Sequence, residues 1–270
     1  MTQPMTQPPH HDAVTSLMRQ VARDIVLPRF RNLATDDVEE KAPDDLVTIA
    51  DRESEDALTA GLSMLDPDAR VIGEEACAAD VSLLDGIDRG QVWIIDPIDG
   101  TNNFAAGKSP FGIMIALVED GVTQAGWILD PVSGRLCHAA IGNGAYVDSR
   151  RVVTRPSEGV LPTAAIATYF LGAERQADLK SRADGKFSLV AIPRCAAEQY
   201  PRLVLGINDI ALFEKTLPWD HAAGALFVSE AGGVVRRPDG TDYRVGDTRR
   251  GMIGAASPRL WDDAARILFG

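Results

Sequence analysis

Residues 92–104 constrain this 270-residue chain more than any other stretch. Val92, Trp93, Ile94 and Ile95 form a short apolar run that predicts a buried strand. It ends in two carboxylates three residues apart, Asp96 and Asp99, followed by Gly100-Thr101-Asn102-Asn103. A strand that runs into an acidic turn and then a helix start sets hard oxygen ligands beside free backbone N–H groups. Such a turn suits a divalent cation and a phosphate together, which points to phosphate-ester chemistry.

Charge and composition narrow the partners. A formal net charge of −12 argues against nucleic acid or an anionic membrane surface, since both select a basic footprint. An acidic chain attracts a phosphate only if its carboxylates first recruit cations, whose charge inverts the local field. No uninterrupted apolar run approaches the roughly 20 residues of a membrane span. Cys77, Cys137 and Cys195 are widely separated and odd in number, which suggests reduced thiols in a cytoplasmic protein. Residues 1–11 are polar and proline-rich, so the sequence predicts a disordered tail there.

Two halves follow. Over 12–153, Val14, Leu17, Met18, Val21 and Ile25 recur at helical spacing, with Asp12 as the expected N-cap and Pro28 as the end or kink. A second periodic stretch spans 49–65, and a short strand at 70–72 leads into Gly73-Glu74-Glu75. Apolar runs at 111–118, 124–129 and 136–141, separated by turn residues, predict an antiparallel meander. This half reads as α+β. Over 154–270, strands at 164–169, 187–192, 210–213, 234–235 and 251–256 alternate with helices at 196–206, 219–231 and after Ser257-Pro258. That pattern predicts a layered α/β second half, and an α/β class for the whole compact unit.

Glu74, Asp96, Asp99 and Asp220 are the candidate ligands. Taken singly, each has a bland reading: Asp220 as a first-turn acid, Glu74 as a loop carboxylate, Asp99 as half of an Asp-Gly turn. Together they sit at strand and helix ends that can converge on one crevice. Without histidine or cysteine at ligand spacing, the donors are all oxygen, which selects Mg²⁺ or Mn²⁺ over zinc. Pro97 stiffens the turn so that the Ile98 carbonyl can also face the ion. Several carboxylates suit two ions, one activating water and the other stabilising the leaving oxygen. The Thr101 hydroxyl can orient that water if a carboxylate takes its proton. Three rival patterns fail: a P-loop would need glycine where Asn102 stands, an EF-hand needs a longer alternating acidic loop, and a D-x-D-x-T nucleophile motif needs closer acids. His138 reads as structural, and His221 as helix packing or a support for Asp220.

The segments Gly73-Glu74-Glu75, Asp96 through Phe104, and Trp219-Asp220-His221-Ala222-Ala223-Gly224 resemble the inositol monophosphatase family of magnesium-dependent, lithium-sensitive sugar phosphatases. Asp45 through Asp51 and Glu230-Ala231-Gly232-Gly233 support the resemblance, which runs in order from about Val14 to the C-terminus. It implies an αβαβα sugar-phosphatase fold with the site between the halves. It implies two or three Mg²⁺ ions, with Mn²⁺ as a substitute, held by Glu74, Asp96, Asp99, Asp220 and the Ile98 carbonyl. Asp51 and Thr101 match the pair that polarises the attacking water, assisted by Glu74. Asp99, Gly100, Thr101, Ala196, Glu214 and Asp220 match substrate contacts, Gly100 and Thr101 through their backbone.

Lys41 resembles a basic residue ahead of the Asp-Leu-Val-Thr motif, one position short, and Glu214 stands one residue out of register with Asp220. Arg194-Cys195-Ala196 falls where the family contacts substrate, and Pro218 gives the last motif a bacterial look. The implied activity is hydrolysis of a small polyol phosphate, foremost inositol monophosphate, in a cytoplasmic homodimer. Histidinol phosphate, fructose bisphosphate and nucleotide bisphosphates are alternatives. A non-catalytic metal-binding regulator is the alternative of another class.

Overall fold

The structure, a computed structural model, describes residues 8–43 and 45–270. Helix α1 (His11–Val21) buries Val14, Met18 and Val21, the face its periodicity predicted. Its cap position is His10, in the left-handed region at φ 60°, and Asp12 lies in the first turn instead of at the cap. The expected tail also ends sooner: Pro8 and His11 are buried, and His11 Nδ1 accepts a hydrogen bond from Trp127 Nε1 at 3.1 Å. The rest of that expectation, residues 1–7, lies outside the described residues. Before Pro28 the helix widens into a π turn (Ala22–Val26) and closes with α2 (Leu27–Arg29). The wider turn accommodates a residue that has no N–H to donate.

Strands β1 (Val38–Ala42) and β2 (Asp45–Thr48) form an antiparallel hairpin that leads into α3 (Ile49–Leu65). Strand β3 (Arg70–Gly73) and the short helix α4 (Glu74–Ala79) precede β4 (Gln91–Asp99), which ends at α5 (Thr101–Ala105). The meander follows as β5 (Gly112–Glu119), β6 (Val122–Leu129), β7 (Leu136–Ala140), β8 (Gly144–Val147) and β9 (Arg150–Val152). Strands β3 to β9 lie side by side in sequence order, antiparallel except for the β3–β4 pair.

Beyond it come β10 (Thr163–Ile166), α6 (Ala173–Ala183), β11 (Ser188–Val190), α7 (Ala196–Val204) and β12 (Ile210–Phe213). Helix α8 (Pro218–Glu230), β13 (Val234–Arg236), β14 (Met252–Ala255) and α9 (Pro258–Phe269) complete the chain. These five strands form a second sheet in the order β11-β10-β12-β14-β13. Helix α9 starts as predicted, with Ser257 Oγ accepting from Leu260 N.

The side-chain period of β4 builds two cores at once. Trp93 and Ile95 pack with Val14, Met18, Leu58 and Leu62 of α1 and α3. Val92 and Ile94 face the other way, into a core that holds Tyr200 of α7, Ala223 and Phe227 of α8, and Phe213 and Met252 of the second sheet. A third core sets Ile210, Leu212 and Ile253 against Leu179 of α6 and Trp261 and Leu268 of α9. Helices, sheet, helices, sheet, helices: the fold is the αβαβα arrangement. Each large apolar side chain buried this way contributes about 1.5–3 kcal/mol.

Helix α8 is buried nearly all round, and small residues let it approach closely. A Cβ at Gly126 would sit 2.7 Å from Ala223 Cα, and one at Gly224 would sit 1.9 Å from the Tyr200 ring. No helix among the described residues is long and apolar enough to cross a membrane.

Candidate metal centre and active site

Strand β4 carries Asp96 into the interior and then breaks register against β5 between Asp96 and Asp99. Gly100 follows at φ 85°, and a side chain there would press on Cys195 and the Pro110 carbonyl, so glycine turns the chain tightly into α5. Thr101, first residue of α5, has its Oγ1 2.9 Å from the Ile98 carbonyl and 3.1 Å from Asp51 Oδ1, two acceptors for one proton. Asp51 is placed by a capping box at the start of α3: its Oδ2 accepts from Thr48 N at 2.9 Å, and Thr48 Oγ1 accepts from Ala50 N at 3.2 Å. Burial pushes the Asp51 carboxyl up to about 6; hydrogen bonds from Thr48 pull against the shift, and the Glu74 charge adds to it.

Glu74 opens α4, whose N-terminus is fixed from below. Both oxygens of buried Glu55 accept backbone N–H bonds, from Glu75 and Ala76, each at 2.8 Å. Residue 73 is glycine for that reason, since a Cβ there would lie 2.2 Å from the Glu55 carboxyl carbon. Lys41 of β1 reaches over from the hairpin, with Nζ 2.9 Å from both Glu74 Oε1 and Glu75 Oε1. Burial opposes the Lys41 ammonium, but the two glutamates outweigh it and raise its pKa. Glu75 is itself pushed up to about 7, by burial and then by the charge of Glu74.

Oxygens of Glu74, Asp96 and Asp220 lie within 4.8 Å of one another. Asp220 arrives from the first turn of α8, so three elements distant in sequence meet at one point. Asp96 and Asp220 both sit well above the usual carboxylate range, through burial first and then through their acidic neighbours. Asp96 Oδ1 is buried with no hydrogen-bond partner among the described residues. An orphaned carboxylate oxygen facing two more carboxylates fits a hard divalent cation, and the all-oxygen donor set fits Mg²⁺ or Mn²⁺ better than zinc.

Asp99 and the Ile98 carbonyl stand apart from that trio. Asp99 Oδ2 accepts from Ala197 N at 2.6 Å, in the first turn of α7, and Ile98 O accepts from Thr101. Asp99 too has a raised pKa, by burial, with hydrogen bonds from Cys195, Ala197 and Ala196 opposing. His221 is no ligand: its Nε2 donates to the Lys215 carbonyl at 2.9 Å, and its Nδ1 accepts from Tyr200 Oη at 2.7 Å. Burial lowers it to about 4, and it holds the loop before α8.

A cleft of about 440 Å³ opens over these groups. Glu74, Asp96, Ile98, Asp99, Gly100, Thr101, Ala196, Glu214 and Asp220 all line it, whereas Asp51 sits behind Thr101. Sequence reasoning missed Glu55 and Glu75 as parts of the site. Glu55 follows Asp51 by one helical turn, and an acid at that spacing on a buried face was the available signal. It also missed a wall of Tyr169, Phe170, Lys215 and Arg250, which no local pattern announces.

Residues 10–267 match the profile of the inositol monophosphatase family. The chain belongs to that family. An inositol-1-monophosphatase of Bacillus subtilis is 33% identical over 211 residues, which covers 74% of this chain and 76% of that protein. A Nus factor SuhB of Vibrio cholerae is 33% identical over 229 residues, covering 82% of this chain and 81% of that one. An IMPase structure from Thermotoga maritima superposes with a TM-score of 0.79 at 27% identity, covering 95% of each chain. As an inositol monophosphatase family member the chain is a phosphatase of a metal-dependent kind, and its acidic cluster is suited to hold the metal.

Proposed function

We propose that this protein is a Mg²⁺-dependent phosphomonoesterase acting on a small polyol or sugar phosphate. The observation that carries the reading is the convergence of Glu74, Asp96 and Asp220 beside the Thr101–Asp51 pair at the base of one cleft. Divalent cations held there supply the positive charge that draws a phosphate into an acidic cleft and offsets the charge of the departing alkoxide. Asp51 keeps the Thr101 hydroxyl in place, and that hydroxyl orients the attacking water. Asp51, whose Oδ1 lies 3.1 Å from Thr101 Oγ1, accepts the proton that this hydroxyl passes on. Asp99 and the Ile98 carbonyl complete the proposed ligand set, Mn²⁺ can replace Mg²⁺, and two or three ions take part. Gly100, Thr101, Ala196 and Glu214 contact the substrate. Among the described residues that line the cleft none resembles an activated nucleophilic side chain, so the proposed attack on phosphorus is by water directly.

Inositol monophosphate is the first ester to test, with histidinol phosphate, fructose bisphosphate and a nucleotide bisphosphate beside it. The expected result is phosphate release that requires Mg²⁺ and stops with a chelator. Absence of release from every ester at high protein concentration overturns the reading. It would favour a non-catalytic metal-binding regulator on this fold. The presence of all the acids and of Thr101 favours the enzyme. A homodimer, cytoplasmic location and inhibition by millimolar lithium extend the same proposal, and light scattering and a lithium titration test the first and last.

A further inference from the structure

Among the described residues Arg237 is the only lysine or arginine that is buried, with 1% of its surface exposed. It follows β13 directly and stands behind the cleft, outside its lining. A guanidinium taken out of water needs partners for its N–H donors, and this one has four acceptors. Nε donates to Asp247 Oδ2 and Nη2 to the Asp247 carbonyl, each at 3.1 Å. Nη1 donates to Thr216 Oγ1 at 3.0 Å and to the Gly251 carbonyl at 3.2 Å.

Those acceptors belong to two segments that form part of the rim. Residues 214–217 join β12 to α8; Glu214, Lys215 and Leu217 line the cleft, while Thr216 turns its hydroxyl to Arg237. Residues 247–251 lead into β14, and Arg250 among them lines the cleft too. Neither segment is helix or strand, so their backbone groups must be met outside any regular ladder. They meet each other. Gly251 N donates to the Glu214 carbonyl at 3.0 Å, and Thr216 Oγ1 donates to the Arg249 carbonyl at 2.8 Å. The peptide groups on both sides of Arg250 are thereby fixed, and the Thr216 hydroxyl relays between Arg237 and one of them.

We infer that Arg237 is a positioning residue for the rim of the cleft. It locks residues 214–217 to residues 247–251, and so sets Glu214, Lys215 and Arg250 where they meet the alcohol part of a phosphate ester. This rests on the phosphomonoesterase reading above and divides the cleft into two parts. The base does not depend on Arg237: Glu74, Asp96 and Thr101 come from the first half, and Asp220 belongs to α8, which its own packing holds. The rim does depend on it. An apolar side chain could fill the same space, but it would leave the Gly251 carbonyl short of a donor and Thr216 free to turn.

Three variants test it in Mg²⁺-loaded protein: Arg237→Met, Arg237→Lys and Thr216→Val. The probe is inositol monophosphate, or the fastest of the other three esters named above. Arg237→Met is expected to raise KM about tenfold, with kcat and Mg²⁺ affinity within about twofold of wild type. Inhibition by inorganic phosphate, which needs only the base, should likewise stay within about twofold. Arg237→Lys keeps the charge and some donors, so it should recover part of the KM. Thr216→Val leaves Arg237 on Asp247 and removes only the relay, for a rise of about threefold in KM. That variant decides the matter if a melting curve shows that Arg237→Met does not fold. Amide hydrogen exchange at Gly251 should quicken in both, a reading that needs no turnover. An unchanged KM with Gly251 still protected, or a parallel loss of kcat, Mg²⁺ affinity and phosphate inhibition in a folded variant, overturns the positioning role while phosphatase activity stands. Hydrolysis of no ester by the wild type overturns the phosphatase reading itself, and this role with it.

Discussion

Asp96 carries a heavy electrostatic burden. It is 1% exposed, has an oxygen without a hydrogen-bond partner, and faces Glu74, Asp99, Asp220 and Asp51. Such a group is costly without a cation and useful with one. Asp96→Asn should therefore raise the melting temperature of metal-free protein while weakening Mg²⁺ binding by about tenfold or more, since one ligand charge is gone. Calorimetric Mg²⁺ titration and melting curves in chelator read both effects; a fall in metal-free stability contradicts the assignment. Thr101→Ala removes the hydroxyl together with one methyl group, so kcat should drop by about a hundredfold or more with KM little changed. A pure rise in KM would sink its water-orienting role.

The motif residues were legible in sequence because each is fixed by its own local turn. Glu55 and the wall around Tyr169 were not, because their partners come from elsewhere in the fold. Asp99 illustrates the middle case. Its position was legible, but its carboxylate points to Ala197, a residue distant in sequence.

At the scale of elements, α4 is a six-residue helix whose placement depends on a neighbour. Glu55→Ala leaves the N–H groups of Glu75 and Ala76 unmet at the start of that helix, a loss of about 1–2 kcal/mol by the measure of ordinary N-caps. Glu74 should then wander, and Mg²⁺ affinity should fall although no ligand has been changed. Glu55→Gln, which keeps one acceptor oxygen, should recover part of both, and unchanged Mg²⁺ affinity in Glu55→Ala would remove Glu55 from this role. Elements with strong apolar runs and clear punctuation, such as β4 to β7, follow the sequence pattern closely. Strand β1, helix α6 and strands β8 and β9 escaped it. Helix α6 buries only Leu179 and Ala183 along eleven residues, and β1 carries Glu39, Glu40 and Lys41 in a row, so neither leaves a periodic apolar trace.

For the molecule as a whole, acid stability should report on three buried histidines. Burial lowers His138 and His221 to about 4 and lowers His11 as well. Between pH 6.5 and 4 the unfolded chain binds protons that the folded chain refuses, so stability falls as pH falls through that window. His138→Phe removes one such proton and should flatten the acid limb by up to about 1.4 kcal/mol per pH unit. Chemical denaturation at several pH values checks this, and an unchanged slope would show that His138 is already protonated in the native state. The full αβαβα order was legible only through family resemblance, since alternation and spacing predict an α+β half and a layered α/β half without saying how the two stack.

Those halves share one seam. The core that joins Ile94 and Ile128 to Ala223, Phe213 and Met252 draws on both, and Asp220 enters the acidic cluster from the same helix that fills the seam. A chain cut after Val152 would lose its third, fourth and fifth layers and would also bare an entire apolar sheet face. Neither fragment inherits a working half of the site, and neither has a reason to remain monomeric in water. Stability and chemistry are in this sense a single inheritance: a substitution that loosens α8 against β6 also moves Asp220, so drift in the core is read directly as drift in the ligand geometry.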